Sequence, residues 1–272
     1  MNNILTITGL TFREAFAKKI FIFFFVMSTI VLLILTGIFS STDATSLTGV
    51  MRVRGPNHQM VGSIVGALKL ILLTPLYGLG LFLSIFSASS FIPDMLEKGN
   101  IDLLLSKPIS RAQIIIGKFF GGSIIVFLNV AYLVFGLWLL LGYNFNDWSL
   151  SLLLAALIIT FTFMLLYSLM ILLGILSKSS VLSMMVSFSI FVVFSPLLAA
   201  RETFGVLISS EIVKSILNIF YYIIPQTSEL GTIMNSVALG KGIENYSPII
   251  VSAIFMLIMI SGSIIIFNKK DY

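Results

Sequence analysis

Six stretches of about 20 residues each are almost entirely apolar and contain no acidic or basic side chain. They are residues 20–39, 70–91, 119–141, 152–176, 181–200 and 249–267. A stretch of this length crosses the hydrocarbon core of a bilayer as an α-helix, because the helix satisfies its own backbone hydrogen bonds. Only 10% of all residues are charged, whereas a soluble domain has about 25%. The sequence therefore predicts an all-α membrane protein with six transmembrane helices.

The positive charges predict the orientation of these helices. Ten of the 16 cations fall beside the two termini, in 92–118 or at Lys178, and six fall in the alternate connections. Cytoplasmic loops carry the excess of Lys and Arg, so we expect both termini and segment 92–118 to be cytoplasmic, in the inner (cytoplasmic) cell membrane. This pattern also accounts for the net charge of +5 without a nucleic-acid partner.

Residues 92–118 form the longest charged interruption between two predicted spans, and we call this segment the elbow. Pro93 suits the first turn of a short helix, and Asp94 and Glu97 suit its positive end. Gly99 can adopt the left-handed conformation that ends such a helix.

A second short helix is predicted over 101–105, where Asn100 can cap it. Ser110 and Gln113 have capping-box spacing, so the next helix should begin at Arg111. Together the two short helices predict a cytoplasmic elbow with one apolar face and one charged face.

The elbow resembles the signature of ABC-2-type transporter permeases, in particular the type associated with multicopper-enzyme maturation. The matching residues are Glu97, Gly99, Leu103, Leu104, Leu105, Pro108, Ile109, Ser110, Arg111, Gly117 and Lys118. One departure is Asn100, where members of the family often carry threonine. In that family the elbow is the coupling element that contacts a separate ATPase subunit.

The resemblance implies a permease subunit of an exporter, paired with a second copy or a paralogue and driven by a partner that hydrolyses ATP. Leu103, Leu104 and Leu105 would then seat in a groove of the ATPase. Charges at the rim of that contact would fix its register. The coupling residues implied are Glu97, Gly99, Leu103, Leu104, Leu105, Lys107, Pro108 and Arg111.

Several other classes of function are disfavoured by missing residues. No acidic side chain lies in a predicted span, whereas ion-driven transporters place ionisable groups there. The sequence has no cysteine, a single histidine and no GxxxxGK[ST] motif, so we expect no metal site, no catalytic site and no cofactor bound by this chain. A membrane anchor or assembly scaffold stays open as the alternative, because segment 201–247 is larger than a connector requires.

Four further positions carry predictions of their own. Asn129, near the middle of the third span, could form an interhelical hydrogen bond or line a transport pathway. Lys69 is expected to snorkel to one membrane surface and Lys118 to reach the headgroups at the other. Pro75 should distort the second span, because proline lacks the backbone N–H of a helical hydrogen bond.

The two flanking regions are expected to lie at the membrane surfaces. In segment 1–19, Thr11 and Glu14 have capping-box spacing, and we expect a helix along the inner interface. Residues 203–224 are long enough to cross, but crossing would bury Glu211 and Lys214. An interfacial or re-entrant pair of helices, broken at Pro225, is the favoured interpretation for 201–247.

Overall fold

The computed structural model describes residues 2–17, 19–41, 58–97, 99–101, 106, 109–205 and 210–270. Within these residues all regular structure is helical, which confirms the predicted all-α class. The non-spanning helices are α1 (Asn2–Ala17), α5 (Phe91–Met95), α10 (Arg201–Gly205), α11 (Glu211–Ile223) and α12 (Thr227–Ala238).

Among the described residues, six helices are long and apolar enough to cross a membrane, as predicted. Span 1 is α2 (Ile20–Ser41), span 3 is α6 (Arg111–Phe145), span 4 is α7 (Ser151–Ser177) and span 6 is α13 (Ser247–Lys269). Span 2 consists of α3 (His58–Pro75), a π-helical turn (Leu76–Gly80) and α4 (Leu81–Ala88). Span 5 consists of α8 (Ser180–Ser189), a π-helical turn (Ile190–Phe194) and α9 (Ser195–Ala199).

The helix of span 2 begins earlier than its predicted apolar segment. Residues 61–69, which precede the predicted segment 70–91, belong to the helix that starts at His58. Span 3 begins at Arg111, as the capping box predicts. Gln113 N donates to Ser110 Oγ over 3.3 Å, and Ser110 N donates to Gln113 Oε1 over 3.1 Å.

Span 4 lies at the centre of the bundle. Of its apolar segment 67% is buried, whereas no apolar side chain of 21–40 in span 1 is buried. Its neighbours are spans 3, 5 and 6, helix α4 in the second half of span 2, and α12. Phe163, Leu166, Tyr167 and Ile171 fill the interior, so the core is a continuous apolar cluster around this helix.

Two π-helical turns face each other inside the bundle. The first follows Pro75, where the expected distortion takes the form of a π turn that accommodates the missing N–H. The rings of Tyr77 and Phe191, one in each turn, have centroids 5.9 Å apart. The Tyr77 hydroxyl donates to the carbonyl of Thr227, at the first residue of α12.

Helix α12 is inserted among the spans. At its start, Ser228 N donates to Ser195 Oγ over 2.9 Å, and Thr227 reaches Tyr77 near the middle of span 2. At its end, the carbonyl of Ala238 accepts from Ser151, the first residue of span 4. The two main helices of 201–247 are separate, α11 ending at Ile223 and α12 beginning at Thr227, on either side of Pro225. Their placement in the membrane stays a prediction.

Helix α1 runs parallel to the first part of span 3. Ile7 lies against Gly117 and Thr11 against Gly121, so both helices advance together by four residues. The predicted start of a helix at Thr11 is wrong, because α1 begins at Asn2 and the Thr11 hydroxyl donates to Ile7 O within the helix. The two glycines form a GxxxG pattern, which allows close approach of the two backbones.

Candidate functional site

The first part of the elbow is fixed to the bundle by apolar contacts. Helix α5 buries Phe91, Ile92 and Met95, and Pro93 lies in its first turn, as predicted. The side chain of Ile92 lies directly over Gly174 in span 4, where an added Cβ would come within 3.1 Å of Ile92 Cγ2. Packing on span 4 therefore holds the elbow at the ends of spans 2 and 3.

The turn after α5 presents polar groups outward. Glu97, Gly99 and Asn100 are all exposed. Gly99 has φ +94°, the left-handed conformation that was predicted to end the helix. Asn100 Nδ2 donates to Asp94 O over 2.9 Å, which ties the turn back to α5. The other expected coupling residues, Leu103, Leu104, Leu105, Lys107 and Pro108, lie outside the described residues.

Arg111 joins the start of span 3 to the end of span 6. Its Nη1 donates to the carbonyls of Phe267 over 2.7 Å, Lys270 over 2.5 Å and Asn268 over 3.4 Å. The guanidinium also lies over the Phe267 ring, 5.6 Å from its centroid. A cation at the C-terminus of a helix is favoured by the helix dipole and by carbonyls that lack helical partners. Sequence reasoning assigned Arg111 to the ATPase contact, which stays a prediction, and did not foresee this capping.

Lys270 continues the same connection to span 4. Its Nζ donates to Ile175 O over 2.6 Å and to Leu176 O over 3.3 Å. Together with Arg111 and with Ile92 on Gly174, it ties the elbow-side ends of spans 3, 4 and 6 to the elbow. The residues involved are far apart in the sequence, so no local pattern could have indicated the arrangement.

Lys118 does not reach the headgroups, contrary to the prediction. Its side chain is 3% exposed and Nζ lies 2.5 Å from Glu14 Oε2, in the contact between α1 and span 3. The carboxylate of Glu14 is 45% exposed. A buried ammonium requires a counter-charge, and Glu14 of α1 supplies it to Lys118 of span 3.

Lys69 is also paired, where snorkelling was predicted. Its Nζ lies 2.6 Å from Asp147 Oδ2 and donates to Ser149 Oγ over 2.6 Å, both in the turn between spans 3 and 4. Burial alone would raise the pKa of Asp147, but hydrogen bonds from Lys69 and Ser149 hold it below its ordinary value. Asp147 therefore stays ionised at neutral pH, and its contact with Lys69 fastens span 2 to this turn.

Asn129 lies beside a cavity of about 380 Å³ bounded by spans 1, 2 and 3. Its Nδ2 donates to Ile125 O over 3.0 Å, within its own helix, so the predicted interhelical hydrogen bond is not formed. Its Oδ1 is buried and has no partner among the described residues. The apolar wall includes Phe24, Met27, Leu76, Leu83 and Leu133.

A comparison with curated proteins finds no match. The profile of the family described as ABC-2 family transporter protein matches residues 5–272, nearly the whole chain. The match covers the elbow, the six spans and the inserted helix α12, and it bears out the resemblance that the elbow residues indicated. Members are membrane subunits that are not themselves catalytic, and an ABC ATPase partner carries the ATPase activity. The chain therefore belongs to the ABC-2 family of transporter proteins and is a permease subunit of an ABC transporter.

Proposed function

We propose that this permease subunit is part of an exporter whose ATPase docks on the elbow, with the elbow and both termini in the cytoplasm. The bias of basic residues toward the elbow side supports this orientation. In this arrangement the exposed turn at Glu97 contacts the ATPase, and the segment 103–105 supplies the apolar part of the contact. The chain itself binds no nucleotide.

The observation that carries the proposal is the seat of the elbow on span 4. Helix α5 is buried against the bundle, and Ile92 lies over Gly174. A Cβ added at Gly174 would lie only 3.1 Å from Ile92 Cγ2. Close-packed interiors have low compressibility, so a displacement of the elbow is passed on to the helices beneath it. A loop that only joined two spans would not require this buried seat.

A second copy of the chain, or a similar permease, completes the transport path in this proposal. The side chains of the central helix are closely packed, including Phe163 and Tyr167, which are 0% exposed. The interior around span 4 is therefore filled, so the proposed path lies at the border with another subunit. No apolar side chain of 21–40 in span 1 is buried, and this span offers surface for such a border.

The docking assignment is tested by reversing the charge of Glu97. We expect Glu97→Lys to weaken recovery of the ATPase with the purified permease by about 5- to 10-fold. Reversing a charge at the rim of a contact places like charges opposite each other, which slows association and disfavours the complex. Leu104→Asp should abolish recovery by placing a charge in the apolar contact. Glu244→Lys is the matched control, since Glu244 is also exposed but lies beyond α12, near the start of span 6.

Unchanged recovery with both Glu97→Lys and Leu104→Asp would contradict docking on the elbow. The anchor or scaffold function is separated from transport by a second measurement on the wild-type complex in proteoliposomes. Transport requires ATP-dependent movement of solute away from the elbow side, whereas a stable complex without such movement would favour the scaffold.

A further inference from the structure

The cavity beside Asn129 exists because spans 1 and 2 pack on different neighbours. Span 1 packs on span 3, with Leu32 over Gly136 and Phe25 on Tyr132, whose rings have centroids 4.3 Å apart. Span 2 packs mainly on span 4 and on α12. The two spans therefore diverge, and the space between them is closed on its inner side by span 3.

The wall of the cavity restricts the charge of any molecule that fills it. None of the described residues that line it has an acidic, basic or histidine side chain. Transfer of an ion into such surroundings without a counter-charge is very costly. The volume of about 380 Å³ falls within the range of about 300–1,000 Å³ that is typical of small-molecule sites. An uncharged, mostly apolar molecule is the chemistry that fits.

Asn129 adds a directional requirement. The carbonyl of Ile125 can only accept a hydrogen bond, so the amide NH₂ of Asn129 must face it and Oδ1 is the free group. Asn129 is 7% exposed, and Oδ1 lacks a donor among the described residues. A buried acceptor without a donor costs about 1–3 kcal/mol, and a ligand with an O–H or N–H would remove that cost.

Three hydroxyl groups, those of Ser28, Ser84 and Ser87, also line the cavity. Ser84 already donates to Gly80 O over 2.7 Å, so its oxygen can act only as an acceptor for a ligand. The wall thus offers acceptors at Asn129 and Ser84 and two further hydroxyls at Ser28 and Ser87, and the other described residues that line it have apolar side chains. Water is a poor filling for a space of about 380 Å³, because each buried water needs two to four polar partners and these four side chains cannot supply them for a filled cavity.

We propose that this cavity binds one molecule of an uncharged amphiphile from the bilayer, with Asn129 Oδ1 accepting a hydrogen bond from its hydroxyl or amide N–H. The molecule has an aliphatic or aromatic body and a single donor group. This inference rests on the proposed function in one respect, since it takes the molecule to be the transported substrate. Binding itself requires only the permease.

The binding test uses the full-length permease in nanodiscs, without the ATPase, and three probes of equal chain length: dodecanol, dodecyl methyl ether and dodecanoate. Displacement of radiolabelled dodecanol gives the affinities. We expect dodecanol to bind about 3- to 10-fold more tightly than the ether, which lacks the donor, and dodecanoate to bind most weakly. Asn129→Leu should remove the preference for the alcohol, whereas Asn144→Leu, on the same helix outside the cavity, should retain it.

A second variant tests the site independently of Asn129. Val31 lines the cavity from span 1 and is 41% exposed, so Val31→Trp can fill the space without displacing the core. All three probes should lose affinity in this variant. Equal affinity for alcohol and ether in the wild type, or a preference for dodecanoate, would overturn the proposed ligand class. Binding of the probes that Val31→Trp leaves unchanged would be adventitious partition into the bilayer, and it would overturn the proposed site.

The role as substrate is tested separately in the complex with the ATPase. Dodecanol should stimulate ATP hydrolysis by the wild-type complex and not by the Asn129→Leu complex. Binding without stimulation, in a complex that does transport another solute, would overturn the role as substrate and identify the molecule as a structural lipid. Unchanged ATPase recovery with Glu97→Lys and Leu104→Asp, together with normal dodecanol binding, would instead count against the docking proposal alone.

Discussion

Two lysines are buried near opposite ends of the bundle, and each is held by one acid from another segment. Lys118 is 2% exposed and Lys69 is 6% exposed. Their partners, Glu14 and Asp147, are more accessible than the lysines. Because the desolvation cost of a buried ion offsets most of the attraction in the pair, the acids act chiefly to make the buried charges tolerable. At the residue scale, removal of the acid should therefore destabilise the fold by more than the intact pair stabilises it, because the lysine is left buried without a counter-charge.

Asp147→Asn tests this expectation at Lys69. We predict a loss of about 3 kcal/mol in the free energy of unfolding in detergent, the lower end of the range for a broken buried pair, because 22% of the Asp147 side chain is exposed. Thermal unfolding provides the measurement. Glu244→Gln, at an exposed position, should change stability by less than about 0.5 kcal/mol.

The pH dependence of the same pair follows from the lowered pKa of Asp147. Since the pKa is below its ordinary value of 3.8 in the folded protein, the stabilisation is present above that value and is lost as the pH falls through the folded pKa. The difference in melting temperature between the wild type and Asp147→Asn should be constant from about pH 8 to about pH 5 and shrink only below the ordinary pKa. A difference that already shrinks near neutral pH would contradict the lowered pKa.

At the scale of elements, the contact of α1 with span 3 depends on two glycines. An added Cβ at Gly121 would lie 2.6 Å from Thr11 Cβ, and one at Gly117 would lie 2.7 Å from Ile7 Cβ. Real Cβ atoms do not approach so closely, so the helices must separate if either glycine is replaced. This spacing also brings Glu14 to Lys118, which makes the ion pair dependent on the glycines. The GxxxG pattern of 117–121 was visible in the sequence and could have indicated a packing face.

Gly121→Ala and Gly9→Ala should have opposite effects. Alanine favours a helix over glycine by about 1 kcal/mol, and nothing lies within 4 Å of a Cβ at Gly9, so Gly9→Ala should leave α1 in place and slightly stabilise it. Gly121→Ala should detach α1 and speed tryptic cleavage at the exposed Arg13 by about 10-fold, because cleavage follows the population of the detached state. Equal cleavage rates in the two variants would contradict the close packing of α1 on span 3.

At the scale of the whole molecule, the elbow side of the bundle is one connected structure. Ile92 seats the elbow on span 4, Arg111 joins span 3 to span 6, and Lys270 joins span 6 to span 4. At the other side, Lys69 and Asp147 join span 2 to the turn after span 3. None of these contacts connects span 1 with span 2.

Gly174→Val tests whether the seat of the elbow transmits movement. The added methyl groups would push Ile92 away, so we expect the ATPase to bind normally while substrate-stimulated hydrolysis falls by about 10-fold or more. Gly262→Val, where an added Cβ meets only Leu172 Cδ1 at 3.8 Å, is the control and should behave as the wild type. Normal stimulation in a stable Gly174→Val complex would show that the elbow does not act through this contact. Melting temperature establishes that the variant is folded.

Much of the fold could be predicted from local patterns. The length of the apolar stretches indicated six spans, since bilayer thickness determines the length of a crossing helix. Ser110 and Gln113 indicated the start of span 3, because a cap involves residues only a few positions apart. Gly99 has the predicted left-handed conformation, but α5 already ends at Met95. The coupling roles of Glu97, Lys107 and Arg111 stay predictions, as does a pathway role for Asn129.

The sequence by itself determined the class of protein, the number of spans and the start of span 3, because these depend on hydropathy and on neighbours along the chain. Only the tertiary structure decided which acid neutralises each buried lysine, which carbonyls Arg111 caps and where the free Oδ1 of Asn129 meets a cavity. These contacts join groups that are distant in the chain, Lys118 and Glu14 being separated by 104 positions. Such partners are determined by how the helices pack against each other, and the residues next to a side chain in the sequence do not indicate that packing.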